Sequence, residues 1–252
     1  MSELLNLSFD DFEKPIRAVV IGASGGIGKA FVTSLAEHES VNSVYACSRS
    51  GVRFENSKIV SLNADITDEE SLKKAATKIE KDGEVNLVIV ATGTLHENSV
   101  QPEKSFKDMS LANFNHLFLV NSAGPALAAK HFLPLIPRDQ KSVFAMLSAR
   151  VGSISDNRLG GWYAYRASKA ALNMIIKNLA IEVARKNKQA VVAGLHPGTV
   201  DTDLSKPFQA NVPEGKLFTP EYSARMMLNV LSGLSPEDSG KIFDYAGEEV
   251  LP

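Results

Sequence analysis

The sequence has 252 residues, enough for one domain built around one core. Apolar residues make up 44% and charged residues 22%, as in an ordinary globular protein, and the net charge of −2 gives no basic field for nucleic acid or anionic membrane. Residues 1–14 carry four acidic side chains and no basic stretch, so they do not resemble a signal peptide. No apolar run has membrane-spanning length, and we expect a cytoplasmic protein. The single cysteine, Cys47, excludes an internal disulfide and is expected to be a buried strand residue.

Short β-branched runs alternate with helical patterns along the whole chain. The predicted strands cover residues 17–21, 41–47, 58–62, 85–91, 142–147, 190–195 and 241–244. The predicted helices cover residues 27–37, 68–81, 111–136 (as one or two helices), 163–186 and 220–231. Strands that are apolar on both faces and alternate with helices predict an α/β fold, a doubly wound parallel sheet of the Rossmann-like type. We expect a single domain over residues 1–252, with an N-terminal extension at 1–15 and a substrate lid at 203–217.

The first predicted strand runs directly into a glycine-rich turn, Gly22-Ala23-Ser24-Gly25-Gly26-Ile27-Gly28. Gly22 allows a tight turn, Gly26 lets the backbone approach a pyrophosphate, and Gly28 lets helix and strand pack closely. The helix that follows offers free N–H groups and the positive end of its dipole to phosphates. A plain tight loop has the same composition, but the position at the first strand-to-helix turn favours a dinucleotide site.

The second predicted strand ends in Cys47-Ser48-Arg49-Ser50. NAD-binding enzymes usually place an acidic side chain here to bind the ribose 2′-hydroxyl, whereas a 2′-phosphate requires a guanidinium. Arg49 therefore predicts NADP(H) as the cofactor, with Ser48 and Ser50 as further candidate donors. The alternative is that Arg49 is an exposed surface arginine without a ligand.

Tyr165 and Lys169 are spaced i, i+4 on the long predicted helix, which places them on one face. A reductase needs a proton donor whose pKa approaches neutrality, and the pKa of free tyrosine lies near 10. A lysine ammonium one turn away and the positive ring of an oxidised nicotinamide both favour the phenolate. The pair predicts a proton donor and a lysine that also holds the nicotinamide ribose.

The spacing Gly-x-x-x-Gly-x-Gly, followed after the fifth strand by Tyr165-Arg166-Ala167-Ser168-Lys169, resembles the short-chain dehydrogenase/reductase family. The resemblance covers nearly the whole chain, and Ile21 departs from it, because the family usually has threonine before the first glycine. The segments around Ser148–Ile154, Gly160–Tyr163 and His196–Thr202 resemble the branch of the sniffer-like carbonyl reductases and C-factors.

This resemblance implies roles for further residues. Asn121 is expected to bend the preceding helix and hold a water of the proton relay, with a helix cap as the alternative. Asp65, next to Ile66, is expected to contact the adenine, with a helix-entry acid as the alternative. Gly93, in Val90-Ala91-Thr92-Gly93, keeps a close backbone approach to the cofactor, although the family's asparagines are missing from this segment. The nicotinamide carboxamide is expected to contact the segment after the sixth strand, through Pro197, Gly198, Val200 and Thr202.

The resemblance also implies a serine that binds the substrate oxygen. Counting along the fifth strand gives Ser148, whereas counting back from Gly152 in the pattern Ser-x-x-Gly gives Ala149. In an extended strand, one residue reverses the direction of the side chain. Ser148 is predicted to be the assisting serine, because the loop that holds Gly152 can absorb an extra residue, with Ser153 as the fallback.

Taken together, the sequence predicts an NADP(H)-dependent oxidoreductase that acts on a carbonyl or alcohol of a small molecule. We expect a homodimer or homotetramer without nucleic acid, membrane or metal as a partner. His96 is either a pocket residue or a solvated loop histidine. The alternatives are a non-enzymatic NADP-binding sensor on the same fold and, more weakly, a nucleotide-sugar epimerase, which would need a longer C-terminal region.

Overall fold

The structure is a computed structural model that describes residues 9–97 and 100–252. This part of the chain holds a parallel sheet of seven strands in the order β3-β2-β1-β4-β5-β6-β9. The strands are β1 (Ile16–Ile21), β2 (Val41–Ser48), β3 (Ile59–Asn63), β4 (Leu87–Val90), β5 (Ser142–Leu147), β6 (Ala190–His196) and β9 (Ile242–Asp244). Between β6 and β9, two short strands, β7 (Thr199–Val200) and β8 (Leu217–Phe218), pair with each other outside this sheet.

Helices cover both faces of the sheet. They are α1 (Gly26–Glu37), α2 (Glu69–Glu80), α3 (Leu111–Phe118), α4 (Gly124–Phe132), α5 (Tyr163–Val183) and α6 (Pro220–Gly233). One core cluster joins the strands to α1 and α6, and another joins them to α2, α4 and α5. The predicted doubly wound Rossmann-like sheet is therefore confirmed.

The central strands are apolar on both faces because both faces are covered. Every residue of β4 and of β5 is buried, whereas β3, at the edge of the sheet, is mostly exposed or half-buried. The strand order reverses between β1 and β4, where the chain turns from one half of the sheet to the other. Such a switch point opens a crevice at the carboxyl ends of the strands, which is where ligands bind in this type of fold.

The region predicted as one or two helices over residues 111–136 is divided more finely. Helices α3 and α4 are joined by a π-helical turn, Leu119–Ala123, and a 3₁₀ turn, Leu133–Leu135, follows α4. Helix α5 ends at Val183, three residues before the predicted end. Within residues 9–97 and 100–252, no helix is both long and apolar enough to cross a membrane.

The predicted N-terminal extension, residues 1–15, lies partly outside the described residues, which begin at Phe9. Phe9 and Phe12 are buried in the core cluster of α1 and α6, with their ring centroids 5.4 Å apart. The part of the extension that is described therefore packs onto the domain. Cys47 is buried in β2, as predicted, and burial raises the pKa of its thiol to about 12.

Candidate active site

Two adjoining cavities lie at the carboxyl ends of the central strands. The first, of about 390 Å³, follows the glycine turn and the end of β2, and the second, of about 290 Å³, lies over β5, β6 and α5. Both are lined by Ala91, Thr92 and Gly93 after β4, so the two cavities adjoin at this segment. Predicted site residues line the first cavity (Gly22, Ser24, Ser48, Arg49, Ile66 and Gly93) and the second (Ile27, Gly93, Ser148, Tyr165, Lys169, Pro197, Gly198, Val200 and Thr202). Gly26, Gly28, Asp65 and Asn121 do not belong to either lining.

The glycine turn has the geometry that its sequence predicts. Gly22 has a φ of 92°, which a residue with a side chain rarely adopts. A Cβ on Gly28 would lie 2.1 Å from the carbonyl oxygen of Gly22, so only glycine permits this packing of helix on strand. The first turn of α1 carries no acidic residue, and its N-cap, Gly25, makes no side-chain hydrogen bond. The positive end of this helix is therefore available to an anion.

The end of β2 presents Arg49 to the first cavity. The Arg49 side chain is exposed, and its backbone carbonyl accepts a hydrogen bond from Asn63 Nδ2 at 3.1 Å, which fixes the backbone at this point. Ser48 is buried, and its Oγ accepts the Val52 N–H at 3.2 Å. No carboxylate stands between residues 48 and 50.

Asp65 lies beside the first cavity rather than in its lining. Its Oδ1 accepts hydrogen bonds from the N–H and the Oγ1 of Thr67, at 2.9 and 2.8 Å. Its own N–H donates to Ser71 Oγ at 2.9 Å. Asp65 thus shapes the entry to α2, while the neighbouring Ile66 and Thr67 face the cavity.

Tyr165 and Lys169 lie one turn apart in the first half of α5, and both line the second cavity. Lys169 Nζ donates to the carbonyl oxygen of Leu147, at the end of β5, at 2.8 Å and lies 5.9 Å from the centroid of the Tyr165 ring. Burial raises the pKa of Tyr165 to about 12 and lowers the pKa of Lys169 to about 8. A ligand with positive charge next to Tyr165 would reverse the first of these shifts.

Asn121 lies in the π-helical turn between α3 and α4 and is fully buried, rather than at a helix cap. Its carboxamide accepts the Thr94 N–H and donates to the Thr94 carbonyl, both at 2.9 Å, and it also donates to Ser168 Oγ at 3.1 Å. A Cβ built on Gly93 would lie 3.6 Å from Asn121 Oδ1 and 3.5 Å from Lys169 Nζ. Asn121 therefore joins α5 to the loop after β4, directly beside Lys169.

The two candidate serines are both engaged in hydrogen bonds. Ser148 Oγ donates to Asn173 Oδ1 at 2.6 Å, although the residue belongs to the lining of the second cavity. Ser153 Oγ accepts the Asp156 N–H at 3.1 Å and lies 3.3 Å from Ser155 Oγ, within the loop before α5. Neither contact supports the expected role of that serine as a donor to the substrate, and the role of Ser148 stays a prediction.

The segment after β6 reaches the second cavity from the opposite side. Ser223 Oγ of α6 donates to the Pro197 carbonyl at 2.7 Å, which fixes the Pro-Gly turn. A Cβ on Gly26 would lie 2.9 Å from Thr202 Cγ2, so this segment and the glycine turn meet. Burial, together with the positive charges of Arg150 and Lys169, lowers the pKa of His196 to about 4 despite the nearby Asp244. The imidazole of His196 is therefore neutral at pH 7.

His96 connects the loop after β4 to the predicted lid. Its Nε2 lies 3.2 Å from the carbonyl oxygens of Asp203 and of Leu204, and its ring packs against Phe208 at 5.7 Å. Phe208 in turn lies 5.0 Å from the ring of Trp162, which precedes α5. Neither alternative given for His96 describes this contact, because the residue is neither in the cavity lining nor a free loop histidine.

Glu103 lines neither cavity but contacts the start of the helix that carries Tyr165, a role that the sequence did not reveal. It is 1% exposed, and its Oε2 accepts the N–H of Ala164, at the start of α5, at 3.3 Å. Its backbone carbonyl accepts the Trp162 N–H at 2.6 Å. The N-cap of α5, Trp162, makes no side-chain hydrogen bond of its own. Glu103 therefore acts as a remote cap that places the carboxylate at the positive end of the helix that carries Tyr165.

We expect Glu103→Ala to lower the free energy of unfolding by about 1–3 kcal/mol, because it leaves the start of α5 without its cap. Thermal unfolding without added ligand measures this loss, and Glu103→Gln, which keeps the shape and an acceptor oxygen, is the matched control. An alanine variant as stable as the wild type would show that the carboxylate does not hold the helix.

The comparisons with known proteins agree with this geometry. The sequence profile described as short chain dehydrogenase matches residues 17–213. The C-signal protein of Myxococcus xanthus is 38% identical over 143 residues, which cover 57% of this chain and 81% of that protein. A 1-hydroxy-2-glutathionyl-2-methyl-3-butene dehydrogenase of Rhodococcus sp. is 29% identical over 225 residues, 88% of this chain and 93% of that protein. Among solved structures, NADPH-bound carbonyl reductase from chicken fatty liver has a TM-score of 0.81 at 25% identity, with both chains fully covered. The carbonyl reductase Sniffer of D. melanogaster has a TM-score of 0.77 at 21% identity, over 95% of this chain and 100% of that chain, and supports the fold alone.

Proposed function

The chain belongs to the short chain dehydrogenase family, and on this premise we propose that it is an NADP(H)-dependent oxidoreductase for a carbonyl or alcohol group of a small molecule. The observation that carries the proposal is that the cavity at the glycine turn shares lining residues 91–93 with the cavity lined by Tyr165 and Lys169. The similarity to an NADPH-bound carbonyl reductase supports it further.

The residues of the first cavity fit a dinucleotide. Gly22, Ser24 and Gly25 line this cavity, and the start of α1, which no side chain caps, suits a pyrophosphate. Thr92 Oγ1 is buried without a hydrogen-bond partner among the described residues, which is costly unless a ligand supplies one. Arg49 offers a guanidinium to a 2′-phosphate at the far end of the same cavity.

The chain's own residues then perform the proton chemistry. When bound, NADP(H) would supply the hydride that the carbonyl carbon gains or loses. Tyr165 gives its hydroxyl proton to the carbonyl oxygen or, in the reverse direction, takes the alcohol proton. Lys169 stabilises the phenolate and holds the ribose, and Asn121 fixes the Thr94 backbone beside Lys169. Reduction of a panel of aldehydes and ketones, followed by the loss of NADPH absorbance, tests the proposal directly.

We expect NADPH to bind at least tenfold more tightly than NADH, because a charge-assisted contact of Arg49 with the 2′-phosphate contributes about 1.5–3 kcal/mol. Arg49→Ala should remove this preference and leave the affinity for NADH unchanged. Fluorescence titration with both cofactors measures it, and Arg138→Ala, an exposed arginine before β5 and away from both cavities, is the matched control. Equal affinities for the two cofactors in the wild type would rule out the NADP assignment.

Assembly into a homodimer or homotetramer remains a prediction. Helix α5 exposes Met174 and Ile181, with 61% and 49% of their surfaces accessible. A second copy of the chain that packed against this helix would cover these side chains.

A further inference from the structure

The two counts in the sequence give residues 148 and 149 as the position of the assisting hydroxyl. At the end of β5, the side chains of these two residues point to opposite faces of the sheet. Even-numbered residues of β5, Phe144 and Met146, pack in the core cluster that includes Leu172 and Ile176 of α5. Odd-numbered residues pack in the opposite cluster, with α1 and α6 (Val143, Ala145 and Leu147). Because side chains alternate in an extended chain, Ser148 continues toward α5 and Ala149 continues the opposite row.

The position of Ser148 explains its hydrogen bond. It is 3% exposed, its N–H still pairs with the Leu195 carbonyl of β6 at 2.8 Å, and its hydroxyl reaches Asn173, one turn beyond Lys169 on α5. The hydroxyl proton is therefore directed to Asn173 Oδ1, where it ties strand to helix. The Ser148 side chain therefore has a structural role, because its hydrogen bond links the end of β5 to α5.

Gly152, from which the count back to residue 149 begins, has a fixed position relative to α5. A Cβ on Gly152 would lie 2.9 Å from both Cβ and the carbonyl carbon of Lys169, so this glycine is held against α5. Gly152 N–H bonds to the Ala149 carbonyl at 2.9 Å in a 3₁₀ turn, and Ala149 itself is extended (φ −158°, ψ 148°). Residues 149–152 thus form one hydrogen-bonded turn packed on α5, with no looped-out residue between Ala149 and Gly152, contrary to the assumption that favoured Ser148.

We propose that β5 contributes no hydroxyl to the substrate oxygen, because position 149, which the pattern Ser-x-x-Gly assigns to that hydroxyl, holds the methyl group of Ala149. Ala149 lines the second cavity together with Tyr165. The inference rests on the proposed function. As the carbonyl carbon accepts hydride from the reduced cofactor, its π pair moves to oxygen, which takes the Tyr165 proton, and the phenolate regains a proton from water. The Tyr165 hydroxyl carries this step without a serine from β5.

Two single variants test the proposal in steady-state carbonyl reduction with NADPH. Ala149→Ser is expected to raise kcat/KM roughly tenfold, part of the 10²–10³ that one such donor is worth. Ser148→Ala is expected to cost less than tenfold in kcat/KM but to lower the melting temperature of the cofactor-free protein by about 2–4 °C, since it loses a buried hydrogen bond. Asn173→Ala should lower the melting temperature similarly, because it removes the other partner.

A loss of about 100-fold or more in folded Ser148→Ala would overturn the proposal, since it would make Ser148 the assisting donor. If Ser148→Ala does not fold, Ala149→Ser decides alone: a rise supports the proposal, and no rise overturns it. Tyr165→Phe separates this inference from the proposed function. An inactive Tyr165→Phe together with a strongly impaired Ser148→Ala refutes only the inference, whereas a fully active Tyr165→Phe refutes the proposed function.

Discussion

Tyr165→Phe is expected to lower kcat for carbonyl reduction by roughly 10²–10⁴-fold while the affinity for NADPH stays within a few-fold. The substitution removes only the hydroxyl of a residue that lines the second cavity. The ring keeps its edge contact with Trp162, whose centroid lies 6.2 Å away. The fold and the cofactor cavity should therefore persist, and a loss confined to kcat would identify proton transfer as the role of Tyr165.

Tyr163→Phe is the matched control, because Tyr163 is half-buried on the same helix but does not line either cavity. Steady-state kinetics and NADPH titration on both variants separate chemistry from binding. Turnover by Tyr165→Phe near the wild-type rate would contradict the mechanism. A failure of the wild type to reduce any carbonyl would instead favour a non-enzymatic NADP-binding protein.

The sequence predicts the central part of this fold well because burial on both faces leaves a clear signal. The strands β1, β2, β4, β5 and β6 are runs of apolar, often β-branched residues, and each lies within about two residues of its predicted bounds. The pair β7 and β8 was not predicted, since strands of two residues have no periodicity to detect. The π-helical turn at Asn121 was not predicted either, although a bend there was expected, because it depends on contacts with α5 and the loop after β4.

In the site, too, the sequence predicts relations between residues close in the chain better than contacts between residues far apart in it. Tyr165 and Lys169 are recognisable because a helix fixes their i, i+4 relation whatever surrounds it. Glu103 lies 61 residues before Ala164 and stands beside Pro102 and Lys104, so its sequence context resembles that of a solvated loop acid. Ser148 and Ala149 are neighbours in an extended segment, and the two counts are distinguished by the hydrogen bond of Ser148 to Asn173 and by the packing of Gly152 on α5.

We expect Lys169→Met to lower kcat/KM by roughly 10²-fold and also to weaken NADPH binding, because Lys169 serves both the phenolate and the ribose. This double loss of activity and NADPH binding distinguishes Lys169→Met from Tyr165→Phe.

Lys169→Met is also expected to change how the free energy of unfolding depends on pH. Burial lowers the pKa of Lys169 from 10.5 to about 8 in the folded protein, so between these values the unfolded chain holds more protons than the folded one. The contribution of Lys169 to stability therefore rises with pH across this window.

The rise attributable to Lys169 is roughly 2–3 kcal/mol between pH 8 and pH 10, and Lys169→Met should lack it. Measurements should stop at pH 10, because burial raises the pKa of Cys47 from 9.0 to about 12 and that of Tyr165 from 10.0 to about 12. Both shifts lower stability as the pH rises, the first from pH 9 in every variant and the second above pH 10. Urea unfolding of the cofactor-free protein at pH 7, 8, 9 and 10 gives the dependence, and the difference between wild type and Lys169→Met isolates the lysine. Lys74→Met, with 70% of its lysine side chain exposed on α2, should retain the wild-type rise. If wild type and Lys169→Met gain stability equally over this range, Lys169 is not a buried group that titrates with a lowered pKa.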